Sequence, residues 1–143
     1  MSMSDPHLKP QNVGLRIVAG LGLIWNMAGV ANAFMQINGS MLASMPAEQR
    51  AIVEARPAWA TLAFATGVLT GVAGCGLLMW RKRLAFHFLA VSLAAIALHM
   101  VFYFGIAGSD IAFGLTQWAL YAVLPLFVAV FLAWFAHAKT GAS

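Results

Sequence analysis

Apolar residues along the chain gather into four long runs, Gly14 to Gln36, Ala58 to Trp80, Leu84 to Ile106 and Leu115 to His137, separated by shorter polar stretches. Each run holds about 23 residues, or roughly 34 Å of helix, which crosses a hydrocarbon layer roughly 30 Å thick with modest tilt. Lipid offers no partner to a backbone N–H or C=O, so runs of this length must satisfy themselves as α-helices. The short alternating segments of a membrane barrel are absent. The pattern predicts an all-α fold, a bundle of four transmembrane helices forming a single membrane domain over residues 1–143.

The connections differ in kind. Arg81-Lys82-Arg83 makes a tight turn and Ala107 to Gly114 a short loop, whereas the segment 38–57 has room for structure of its own. There Ser44 can cap a short helix with Pro46 in its first turn, Arg50 and Glu54 stand four apart, and Met41, Met45 and Ile52 share an apolar face. The expected product is a short amphipathic helix lying across the outer mouth of the bundle as a lid. Pro57 ends it by pushing the preceding residue out of the helical region. Ala31-Asn32-Ala33 imitates the cleavage site of a signal peptide, but the apolar stretch continues to Ile37 with Trp25 and Asn26 at its centre. It is therefore read as the first span.

Composition agrees with lipid as the solvent: 62% of residues are hydrophobic and 8% charged, against about a quarter charged in soluble domains. The net charge of +4 does not form a nucleic-acid-binding face, because the basic residues are split among the N-terminus, one triplet and the tail. Membrane topology accounts for them. Lys9, Arg16, Arg81, Lys82, Arg83 and Lys139 fall on one side of a four-span arrangement, and Arg50 and Arg56 on the other with Glu48, Glu54 and Asp110. The positive-inside rule then places both termini in the cytoplasm. Trp59 and Trp80 mark the ends of the second span and Trp118 and Trp134 those of the fourth, where amphipathic rings sit at the headgroups.

Within the spans the polar and small residues are the candidates for chemistry. Ala63, Gly67, Gly71 and Cys75 recur every four residues, a stripe that lets a neighbouring backbone approach closely, within the bundle or at a partner helix. On the first span Gly22, Trp25, Asn26, Gly29, Asn32, Ala33 and Gln36 share a broad face. Ser92, His99 and Tyr103 share a face of the third span, and Gln117 and Tyr121 one of the fourth, with Pro125 one turn deeper removing a backbone bond. Asn32, Thr66, His99 and Tyr121 lie at similar depth from the outer ends. A polar pocket opening outward and lined by Asn26, Asn32, Gln36, His99, Tyr103, Gln117 and Tyr121 follows, although the same groups can serve as hydrogen-bonding glue between helices.

Several chemistries drop out. His99 has no second His at matching depth for bis-His haem, and His87 and His137 lie at a headgroup boundary beside basic residues. No carboxylate lies inside a span, which weakens proton-coupled antiport. Cys75 is the sole cysteine and has no disulfide partner in the chain. No metal-ligating, nucleophilic or phosphate-cradling motif is present, so neither a cofactor, a metal nor an enzymatic activity is expected.

A resemblance adds to this reading. Leu23-Ile24-Trp25-Asn26 with Gly29, Phe34 and Gln36, then Met45-Pro46, Pro57-Ala58-Trp59-Ala60, Gly71, Gly74-Cys75-Gly76-Leu77-Leu78, the basic turn and Ser92-Leu93 together resemble small bacterial inner-membrane proteins loosely labelled sugar transporters. The sequence departs from that pattern at His99-Met100, where an amide commonly precedes the methionine. The resemblance implies a multi-pass protein of the bacterial inner membrane with a transport-like role. Two functions are carried forward: a binder or transporter of a small molecule, working as a homo-oligomer, and an accessory subunit of a larger membrane complex whose polar faces are packing glue.

Overall fold

The computed structural model describes residues 10–106, 114, 116 and 119–141. Among the described residues the regular structure is all helical: the α-helices are α1 Pro10–Ile37, α2 Ala47–Ala55, α3 Ala58–Met79, α4 Leu84–Ile106 and α5 Leu124–Thr140, with a 3-10 turn at Leu42–Ser44 and a π turn at Ala119–Val123. Three of them, α1, α3 and α4, are long and apolar enough to cross a membrane. The helix of the fourth apolar run is 17 residues long, and Gln117 and Trp118 of that run lie outside the described residues.

Local chemistry sets the boundaries. α1 begins at Pro10, ahead of the apolar run, because the first turn of a helix needs no N–H from its residues. It stops before Gly39, whose φ of 73° is open to a residue without a Cβ. α3 and α4 are joined by a reversal in which Arg81 N–H donates to the Leu78 carbonyl (2.9 Å) and Lys82 N–H to that of Leu77 (3.0 Å). That pair of bonds is a Schellman ending, and Arg81 takes the left-handed position usually given to glycine, at φ 54°. Before α5, Pro125 cannot donate to the carbonyl four residues earlier, and the chain winds there as a π turn.

The segment between α1 and α3 forms α2 as expected, with a different start. Ser44 does not cap it: its hydroxyl donates to the Met41 carbonyl (3.0 Å) and closes the 3-10 turn, and Pro46 occupies the cap position in extended backbone. A serine so close to its own i−3 carbonyl satisfies itself locally before it can reach the next helix. Arg50 likewise reaches back to the carbonyls of Ala43 (3.3 Å) and Met45 (3.4 Å). Ile52 is buried and pins α2 to Ala60, Ile96, Met100 and Tyr103. α2 ends at Ala55, and Arg56 turns to φ −71°, ψ 121°, the extended conformation that a following proline demands.

α3 lies between α1 and α4, α4 also packs on α5, and α1 and α5 meet lightly. Two apolar clusters hold these helices. One joins Leu15, Cys75, Leu78, Leu89, Leu132 and neighbouring alanines, and the other surrounds Ile52, Ile96, Met100 and Tyr103. Large apolar side chains cover the outside, with Ile24, Phe34 and Leu62 each about two-thirds exposed. Such a continuous apolar surface suits lipid and not water. Trp59, Trp80 and Trp134 are exposed among them.

Candidate functional site

Where α1 and α5 fail to close on each other, a cavity of about 240 Å³ runs between α1, α3, α4 and α5. Its α4 wall reaches from Leu89 to Tyr103, about 21 Å of helix axis at 1.5 Å per residue. The cavity is therefore long and narrow. One end is polar and carries Asn32, Gln36, Arg56, His99 and Tyr103; the rest is walled mainly by Val68, Leu89, Ile96, Val128 and Leu132.

The polar end is a connected network. The Gln36 amide donates to Asn32 Oδ1 (2.9 Å), one turn back on α1. Arg56 donates through Nη1 to Gln36 Oε1 and through Nη2 to the Tyr103 hydroxyl (2.6 Å), and its Cζ lies 5.7 Å from the Tyr103 ring centre. Tyr103 stands edge-on to His99, with ring centres 5.2 Å apart, and Phe64 covers His99 on another side at 5.0 Å. His99 Nδ1 is 2.8 Å from the Ala60 carbonyl. A carbonyl can only accept, so Nδ1 carries a proton and Nε2 is the nitrogen left to interact elsewhere. Among the described residues nothing bonds to Nε2, and no carboxylate lies within ion-pairing distance of Arg56.

Away from that end the polar groups are spent on the fold. Ser92 donates to the Gly67 carbonyl (2.6 Å), joining α4 to α3. Asn26 is buried and donates to the Gly22 carbonyl (2.8 Å), with the same nitrogen 3.9 Å from Cys75 Sγ. Its carboxamide fills the space where a side chain on Gly71 would stand.

Of the expected pocket residues, the structure gathers Asn32, Gln36, His99 and Tyr103 at the polar end and sets Asn26 deeper, against α3. Gln117 and the side chain of Tyr121 lie outside the described part of the structure. Thr66 is exposed and does not line the cavity. The stripe Ala63, Gly67, Gly71 and Cys75 is buried inside the chain. A Cβ on Gly67 would come within 2.7 Å of Ile96, and one on Gly74 within 2.6 Å of Leu89, so α1 and α4 occupy the surface that a partner helix would need. Arg56 was not anticipated, having been counted among the charges of the outer segment. Its position immediately before Pro57 is the available signal, since a long side chain at the first residue outside a span can reach back along it.

His87 and His137 are exposed, and among the described residues no three His, Cys, Asp or Glu side chains gather as a metal site would require. What the cavity does present is a guanidinium, a nitrogen of His99 and a long apolar wall. In comparisons by sequence and by structure, no family model, no curated protein and no solved structure matches this chain.

Proposed function

We propose that the chain is a four-span protein of the bacterial inner membrane that binds a small molecule in the cavity between α1, α3, α4 and α5, and passes it across or along the membrane. The π turn and α5 together supply about 22 residues, roughly 33 Å, and are read as the fourth span. α2, pinned by Ile52 beside the Arg56 end, is read as the lid.

The observation that carries this reading is the cavity itself. Close-packed interiors leave few voids larger than a water molecule, and a void of about 240 Å³ bordered by polar side chains at one end has the form of a ligand site. It is smaller than the roughly 300–1,000 Å³ typical of drug-sized ligands, which points to a slender or small molecule. The test is thermal unfolding of the protein in phosphatidylcholine nanodiscs against sugars, quinones, lipids and small amines, beside Val128→Phe, which narrows the cavity from α5. A ligand binding the folded state must raise the melting temperature. Stabilisation of the wild type that Val128→Phe loses while remaining folded supports the reading; a compound stabilising both proteins equally, or no stabilisation at all, counts against it.

A further inference from the structure

We propose that the cavity takes an amphiphile with an anionic head and one narrow apolar chain, and that Arg56 is the residue that recognises the head. The inference rests on the reading of the cavity as a ligand site and adds the chemical class of the ligand.

Three observations converge. The first is the charge. Arg56 is half-buried at the edge of an apolar bundle; it bonds to two neutral oxygens, of Gln36 and Tyr103, and its Nε is buried with no hydrogen-bond partner. No carboxylate among the described residues pairs with it, and Glu54, two residues away, is exposed. A guanidinium partly withdrawn from water without a counter-charge is destabilised, and a bound anion offsets that cost. Gln36 and Tyr103 hold the guanidinium in place, so its flat, multi-donor face meets a carboxylate or phosphate with little further ordering.

The second is the chemistry of the wall. The Ser92 hydroxyl and the Asn26 amide nitrogen donate to the carbonyls of Gly67 and Gly22, so beyond the polar end a ligand meets chiefly carbon, from Leu89, Ile96, Val128 and Leu132. A polar sugar or a dianion would find too few partners there, because burying unpaired polar groups is unfavourable. The third is shape. A cavity of about 240 Å³ drawn out over about 21 Å of helix admits one extended chain and not two. The α1 side, where α1 and α5 meet lightly, gives such a chain a lateral route from the bilayer.

The experiment measures binding of radiolabelled decanoate, decyl phosphate and decanol to the full chain in phosphatidylcholine nanodiscs, with empty discs subtracted. Decanoate or decyl phosphate binds above the background, and Arg56→Gln weakens that binding by at least about tenfold while changing decanol binding by less than about twofold. Arg56→Lys, which keeps the charge and loses the fork, falls between and serves in place of Arg56→Gln if the latter does not fold. The stronger of the two anions names the head as carboxylate or phosphate. Displacement by the single-chain lysophosphatidylglycerol added to the discs assigns the site to a lipid of the bilayer, and its failure to displace assigns the site to a free amphiphile. Decanol binding as tightly as the anions, with Arg56→Gln without effect, overturns the inference and leaves the ligand site standing. No amphiphile binding above empty discs, with Val128→Phe also without effect on any ligand, removes both.

Discussion

At the residue scale the packing is decided by side chains that are missing. Gly71 lies against the carboxamide of Asn26, which is itself fixed by the Gly22 carbonyl and so cannot retreat. Gly76, five residues on, has nothing within 4 Å of where a Cβ would stand. Gly71→Ala is therefore expected to destabilise the fold by about 1–3 kcal/mol, the usual cost of forcing atoms into a filled site. Gly76→Ala is expected to be neutral or slightly stabilising, because alanine costs less backbone entropy in a helix. Reversible unfolding of the two variants in mixed micelles checks the pair; equal stability would mean that Asn26 does not hold this position. The four-residue spacing of Ala63, Gly67, Gly71 and Cys75 was legible in the sequence as a close-approach stripe. Which neighbours it meets was not, because a periodicity along one helix carries no information about the helix that comes to lie on it.

At the scale of elements the apolar runs were the strongest signal, and α1, α3 and α4 follow them closely, since backbone satisfaction in lipid leaves a long apolar run no other regular form. Irregular elements were harder. The start of α2 turned on whether Ser44 would cap the next helix or bond its own preceding turn, a choice between two local hydrogen bonds of similar strength. The part Arg56 plays in the cavity was not legible for a related reason: whether a boundary arginine points to the headgroups or back along a span depends on oxygens supplied by other helices, here Gln36 of α1 and Tyr103 of α4. α2 itself is short, and no helix of 9 residues is stable alone in water, so its order comes from the docking of Ile52. Ile52→Ala removes most of that contact, a loss of about 2–4 kcal/mol for a buried aliphatic side chain. The expected result is amide exchange accelerated by at least about tenfold across 47–55, with α3 and α4 unchanged. Exchange that stays slow would show that the carbonyl bonds of Arg50 hold the segment instead.

At the scale of the whole molecule, charge is sorted between two ends. Arg16 and Arg81 border one surface hollow with Trp80, and the Phe86 ring meets that of His137 at 5.1 Å, so the start of α1, the α3–α4 turn, the start of α4 and the tail of α5 come together. The other end carries α2, Arg56 and the polar mouth of the cavity. If the basic end is retained in the cytoplasm, the mouth faces outward and a ligand arrives from outside or from the outer leaflet. The arrangement can be tested in a Cys75→Ala background, a change of one sulfur atom at a fully buried position. Glu48→Cys on α2 and His137→Cys on α5 place single thiols at exposed sites at the two ends without altering any Lys or Arg. A membrane-impermeant maleimide added to intact cells is expected to label Glu48→Cys at once and His137→Cys only after lysis. The opposite pattern would turn the cavity mouth toward the cytoplasm, making a ligand one supplied from within. Labelling of both thiols in intact cells would put the two ends on the same side and overturn the spanning arrangement of the bundle, because the tail of α5 is held at the end opposite α2 by its contact with the start of α4.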